Sequence, residues 1–195
     1  MIIDKTENKI ISVATQLFGK YGFNKTSMNE IARVARKAKG SLYYHFASKE
    51  ELYTKVVATE IQNLKDNLLI IVNNIELTAD KKIVDYMIKR MEIMHLAVNY
   101  HDSIKADFFE HFEFVDNLRH DLDNWEQVQL KSIINQGIKE GVFANYKGKL
   151  DVLLNMIVMV LKGLEIPFFI QDKYDEFKPH FEYLSSVLIK GLAYD

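Results

Sequence analysis

The sequence predicts an all-α fold: an N-terminal three-helix helix-turn-helix domain, then a C-terminal helical bundle, about nine helices in total. Three observations lead there. Only 8 Gly and 2 Pro occur in 195 residues, too few for a protein built from turns and short strands. Apolar side chains recur at helical spacing along most of the chain. Two Ser-x-x-Glu capping boxes mark places where helices begin.

The first helix places Ile10, Ala14, Leu17 and Tyr21 on one face, widened by Ile11 and Phe18, and Gly19 and Gly22 mark its end. Ser27-Met28-Asn29-Glu30 is the first capping box, followed by Met28, Ile31, Ala32 and Ala35 at i, i+3, i+4 and i+7. Arg36-Lys37-Ala38 breaks that rhythm, and a short helix with Leu42 and Phe46 starts near Lys39. Three short helices with a tight turn between the last two describe a helix-turn-helix.

Ser48-Lys49-Glu50-Glu51 opens a longer helix whose apolar stripe is Val57, Ile61, Leu64, Leu68, Ile71 and Ile75. At 1.5 Å per residue it reaches about 40 Å. Another follows through Ile83, Met87, Met91 and Met94, then an aromatic-rich stretch over 103–114. A helix over 117–140 turns Leu118, Leu122, Trp125 and Val128 inward and ends at Gly141. Residues 151–166 are apolar on nearly every face, with Pro167 as the stop. The last helix carries Phe181, Leu184, Leu188 and Leu192.

Composition narrows the function. The chain has no Cys, which excludes disulfides, thiolate metal sites and cysteine nucleophiles. The start lacks a signal-peptide pattern, and the apolar run Val152–Leu161 is shorter than a bilayer requires, so a soluble cytoplasmic protein is expected. The net charge of −2 conceals a division. Residues 1–55 hold ten Lys and Arg against five Asp and Glu, while the remainder holds fifteen against twenty-two. A basic head on an acidic body points to a polyanionic partner for the head alone.

Three segments then name a family: Phe18-Gly19-Lys20-Tyr21-Gly22-Phe23, Thr26-Ser27-Met28-Asn29-Glu30-Ile31-Ala32, and the run from Lys39-Gly40-Ser41-Leu42-Tyr43-Tyr44-His45-Phe46 to Leu52. Together they resemble the N-terminal domain of the TetR family of transcriptional repressors. The likeness covers about the first quarter of the chain; beyond it only the helical architecture is similar. The resemblance implies a homodimer that binds a near-palindromic operator on double-stranded DNA and releases it when a small molecule occupies the C-terminal domain, tilting the long helix near Ser48. It divides the chain into a DNA-binding domain, 1–47, and an effector-binding and dimerisation domain, 48–195.

The DNA-binding residues expected from motif and chemistry are Lys25, Thr26, Ser27, Lys39, Gly40, Ser41, Tyr43, Tyr44, His45 and Lys49. The resemblance implies phosphate contacts for Thr26, Tyr43 and Lys49, while Lys39 and Ser41 are candidates for base edges. The family usually has Gly where Arg36 stands, an apolar residue at Lys37 and a capping Ser or Thr at Ala38. Arg in a left-handed turn is strained, and Ala is a poor N-cap.

For the effector, Met91, Met94, His95, Phe108, Phe112, Trp125 and Met159 form an apolar, aromatic- and Met-rich set, with Gln129 and Asn155 as the polar groups. An amphipathic or aromatic compound is expected; each of these residues alone reads better as core, and only as a set do they read equally well as a pocket. The last two long helices carry more apolar surface than one small domain buries, so the dimer seam is placed there.

Catalysis is not expected. Glu92-Ile93-Met94-His95 has the i, i+3 spacing of helical di-metal sites, but those need a second such pair and two further carboxylates. Only Glu110, His111 and Glu113 lie loosely to hand. No metal or cofactor is expected. A helical metal-dependent oxidoreductase, or a TetR-like DNA binder without a small effector, are the alternatives.

Overall fold

The structure is a computed structural model that describes residues 5–107, 113–144 and 148–192. Phe108 and Phe112 of the effector set, and Glu110 and His111, lie outside the described residues. Every regular element among the described residues is helical, as the sequence predicts. The helices are α1 (Lys5–Tyr21), α2 (Met28–Ala35), α3 (Lys39–His45), α4 (Lys49–Val72), α5 (Ala79–Leu96), α6 (Val98–Asp107), α7 (Glu113–Glu140), α8 (Leu150–Gly163), the single turn α9 (Tyr174–Phe177) and α10 (Phe181–Leu192). Nine of them exceed one turn.

Packing divides the chain into two compact units, residues 1–62 with 97–118, and 63–96 with 119–195. This grouping does not coincide with a cut at residue 47, because the start of α4 and all of α6 pack with the head. In the first unit, Ile10, Phe18, Ile31, Leu42, Leu52 and Tyr53 are fully buried. Phe18 meets Tyr53 edge-on with ring centroids 5.1 Å apart.

The serine half of both capping boxes forms, and the reciprocal carboxylate bond of the first does not. The Glu30 N–H donates to Ser27 Oγ (3.2 Å) and the Glu51 N–H to Ser48 Oγ (3.1 Å). The Glu51 carboxylate reaches back one residue further than the simplest box requires, accepting from the Ala47 N–H at 2.7 Å. The α4 stripe is buried through Val57, Ile61, Leu64 and Leu68. It stops short of Ile75, which lies beyond the helix and is 90% exposed.

The second unit holds the main departure from the hydropathy reading. On α7 the buried positions among the described side chains are Leu122, Glu126, Leu130, Ile133, Ile134 and Gly137, whereas Val128 is exposed. A glutamate turns inward because Arg90 of α5, itself fully buried, receives it. Arg90 Nε and Nη2 donate to the two Glu126 oxygens at 2.8 and 3.0 Å, and Nη2 also donates to Glu165 at 2.9 Å. The Tyr86 hydroxyl donates to Glu126 at 3.1 Å, and burial raises the Tyr86 phenol well above its usual range. One guanidinium therefore joins α5, α7 and the segment just after α8.

Helical backbone also outlasts the expected stop at Pro167. After α8 ends at Gly163, a π-helical turn runs Ile166–Ile170 with Pro167 in its first turn, where a missing N–H costs least. The stretch Leu150–Ile170 is consequently long and apolar enough to cross a membrane by length and composition, beyond what the shorter run suggested. Val152, Met156, Met159 and Val160 of α8 are exposed, as are Tyr183 and Val187 of α10.

Removing one member of the buried ion cluster strands the others in a low-dielectric interior. Arg90→Ala is expected to destabilise the chain by about 3–5 kcal/mol, read as a lower midpoint in urea unfolding. Replacing Arg90, Glu126 and Glu165 together with apolar residues of similar size is expected to recover most of that loss.

Candidate nucleic-acid interface

Helix α3 is seven residues long and buries one of them fully, Leu42. Phe46, just past its end, is also buried. With those side chains inward, the opposite edge of α3 faces out. Lys39 and Gly40 are exposed, Tyr43 is 43% exposed and Tyr44 85%. A Cβ at Gly40 would meet nothing within 4 Å, so an approaching ligand finds bare backbone there. Lys39 Nζ lies 5.7 Å from the Tyr43 ring centroid, and the Tyr44 ring meets His45 edge-on at 5.2 Å. Two aromatic hydroxyls and a cation on one convex edge suit phosphate oxygens and base edges.

Other expected contact residues have work inside the head. Thr26 is 1% exposed, and its hydroxyl donates to the carbonyls of Gly22 (2.9 Å) and Leu17 (3.3 Å). Ser27 is occupied as the α2 cap. Lys49 Nζ donates to the Phe23 carbonyl at 3.1 Å and sits 4.2 Å from that ring's centroid. It ties the α1–α2 turn to the start of α4. Lys25 is exposed and Ser41 half-buried.

The turn between α2 and α3 has the expected strain. Arg36 adopts φ 56°, ψ 45°, the left-handed region that favours glycine. Its N–H donates to Arg33 O at 3.1 Å and the Lys37 N–H to Ala32 O at 2.9 Å, closing α2 in the manner of a Schellman cap. Lys37 reaches back to α1, donating to Thr6 Oγ1 at 3.0 Å. Ala38 stands at the α3 N-cap without a side-chain bond.

Sequence reading missed a polar hub behind the head. Asn99, at the start of α6, is 1% exposed. Its side-chain amide donates to Thr15 O of α1 (3.2 Å) and to Glu60 of α4 (2.7 Å), and the Asn99 backbone carbonyl accepts from the Tyr53 hydroxyl (2.7 Å). The Glu60 carboxylate also accepts from the Tyr100 N–H at 2.8 Å, which caps α6 from another helix. Burial raises the Glu60 carboxyl above its usual range; hydrogen bonds from Asn99 and Tyr100 oppose the rise, and Asp102 adds to it. No local motif announces this hub, because its members are 39 and 84 residues apart.

In the second unit, Met91 and Met94 are buried, while His95, Trp125 and Gln129 are half-buried. Asn155 and Met159 are exposed on α8. His95 stacks on Tyr174 with centroids 4.0 Å apart, and Glu92 pairs with Lys89 at 2.7 Å, so the two ends of the Glu-x-x-His have separate partners. This unit also holds an apolar groove of about 340 Å³ whose lining includes Ile83, Met87, Leu130, Met156, Val160 and Val187.

Comparison with known proteins agrees with the geometry of the head. Residues 10–56 match the family described as bacterial regulatory proteins, tetR family. The chain is 43% identical over 54 residues to the HTH-type transcriptional regulator QacR of Staphylococcus aureus, covering 28% of this chain and 29% of that protein. It is 38% identical over 63 residues to the biofilm operon negative regulator IcaR of Staphylococcus epidermidis, covering 32% and 34%. The chain thus spans about a third or less of the length of the curated relatives it matches. Over the whole length the likeness is one of fold. A transcriptional regulator from Cytophaga hutchinsonii superposes with a TM-score of 0.77 at 22% identity, covering 95% of this chain and 97% of that one. The fatty acid degradation regulator FadR from Bacillus halodurans gives 0.78 at 14% identity, covering both chains fully.

The Glu60 site carries a pH prediction. Its folded pKa lies above the unfolded value of about 4.3, so the fold binds that proton more tightly than the unfolded chain. Glu60's contribution to stability is therefore greatest at low pH and declines as pH rises from about 4.3 through the folded value. Glu60→Gln is expected to flatten this part of the stability–pH curve in urea titrations at a series of pH values.

Proposed function

We propose that this chain, whose residues 10–56 match the tetR family of bacterial regulatory proteins, is a homodimeric, ligand-responsive repressor of transcription. The observation that carries the reading is the outward edge of α3, where Lys39, Gly40, Tyr43 and Tyr44 stand exposed while Leu42 anchors the helix from behind. One such helix per chain enters a major groove, and two-fold symmetry in the protein is mirrored in the operator. Residues 1–47 form the reading head, and 48–195 carry effector binding and dimerisation.

The exposed apolar faces of α8 and α10 support the dimer. An unpartnered patch of this kind on a soluble regulator marks an interaction surface, and pairing the two helices with their copies makes a four-helix contact. The effector is small and amphipathic or aromatic, taken up in the second unit. The residues put forward for it are Met91 and Met94, which are buried, His95, Trp125 and Gln129, which are half-buried, and Asn155 and Met159, exposed on α8. None of these residues lines the apolar groove, whose Met156, Val160 and Val187 belong to the exposed faces of α8 and α10. Release by effector requires tighter effector binding to the DNA-free conformation, and a hundredfold loss of operator affinity corresponds to about 2.7 kcal/mol of coupling.

Selection of bound duplexes from a random pool tests the reading. Enriched, two-fold symmetric sequences bound far more tightly than random DNA are expected; equal binding of both contradicts a specific repressor. On the selected duplex, Tyr43→Ala is expected to weaken binding to all sequences and flatten its salt dependence, whereas Lys39→Ala relaxes base preference. Val160→Glu, exposed in a single chain, is expected to yield a folded monomer in light scattering. A wild-type monomer at micromolar concentration would contradict the dimer.

A further inference from the structure

Arg36 combines three properties that rarely coincide. It holds a left-handed backbone, φ 56° and ψ 45°, at the turn of the helix-turn-helix. Its side chain is exposed. Its guanidinium makes no hydrogen bond or ion pair among the described residues, although both neighbouring cations are engaged: Lys37 on Thr6 Oγ1 and Lys39 over the Tyr43 ring. The backbone geometry closes α2 through main-chain bonds alone, so glycine would serve that turn with less strain. The long cationic side chain therefore adds nothing visible to the isolated fold. Strain held at a position without a structural return points to a use outside the free chain.

We infer that Arg36 is a DNA-backbone contact, its guanidinium engaging a phosphate at the edge of the groove that α3 enters. This rests on the DNA-binding reading above and deepens it. In a helix-turn-helix the first helix crosses the backbone and the second enters the groove by its N-terminal end. The turn joining them consequently runs beside the phosphates. A planar guanidinium matches phosphate oxygens in a fork that an ammonium cannot reproduce. The contact requires no rearrangement of the turn, since the left-handed corner already directs the side chain away from the core.

This assignment predicts opposite signs for two properties of one variant. Arg36→Gly relieves the backbone strain, so its thermal midpoint is expected at or above that of the wild type. Its affinity for a duplex recovered by the wild-type protein is expected to fall roughly tenfold or more, as for loss of a charge-assisted bond. The log–log salt slope is expected to shrink by about one per chain, hence about two per dimer. Arg36→Ala keeps the strained corner and loses the guanidinium. It is expected to match Arg36→Gly in affinity while melting below it, and Arg36→Lys is expected to restore the salt slope but only part of the affinity.

Unchanged affinity and slope in Arg36→Gly, with wild-type binding intact, overturns the contact alone. Loss of affinity in Arg36→Gly but not in Arg36→Ala assigns the effect to turn rigidity and overturns it too. A changed preference at one base pair with an unaltered salt slope makes Arg36 a base reader and overturns the phosphate assignment. Failure of the wild type to bind any duplex removes the DNA-binding reading itself.

Discussion

A seven-residue helix does not hold itself together in water, because nucleation costs more than so few hydrogen bonds return. Helix α3 lacks even a side-chain N-cap. Its existence and orientation therefore depend on the burial of Leu42, with Phe46 just beyond, and on its packing against α2. That constraint explains the rest of the head. Thr26 spends its hydroxyl on two backbone carbonyls, Lys49 clamps the α1–α2 turn, and Lys37 ties the following turn to Thr6. These bonds hold α1, α2 and the start of α4 as one platform, and the outward residues of α3 are left exposed.

The second unit is fixed differently. Its α5 and α7 are joined by a bidentate Arg90–Glu126 pair with Glu165 as a third member. A buried ion cluster of this kind contributes little net stability compared with apolar packing, but it is costly to break singly. It favours one alignment of three helical segments over the slipped alternatives that a purely apolar bundle would tolerate. Lys82 does similar work on the same unit, donating from a buried position to the Val72 carbonyl at the end of α4 and to Gln136 of α7.

The sequence made the local structure legible where local chemistry determines it. Ser27 and Ser48 announced their helices, Gly141 its helix end, and the broken rhythm at Arg36 announced a strained turn that the structure contains. Hydropathy failed where charge is buried in pairs. Glu126 reads as a surface residue, and its partner stands 36 positions earlier, so the inward face of α7 was misjudged by a quarter turn and Val128 was placed inside. The same limit hid the Glu60–Asn99 hub. On α3, residue types singled out Lys39, Tyr43 and Tyr44, which stand exposed along one edge. They did not distinguish exposed side chains from one such as Thr26, which is buried with its hydroxyl bonded to two carbonyls.

The division of labour in the head, with α3 anchored from within and read from without, is tested most directly by nuclear magnetic resonance of isotope-labelled protein titrated with its selected duplex. The largest shifts are expected at the exposed residues of 36–45 and at the start of α4, with Leu42, Ile10 and Phe18 little changed and the exposed faces of α8 and α10 unaffected. Shifts concentrated on α8 and α10, with the α3 edge silent, would contradict the account.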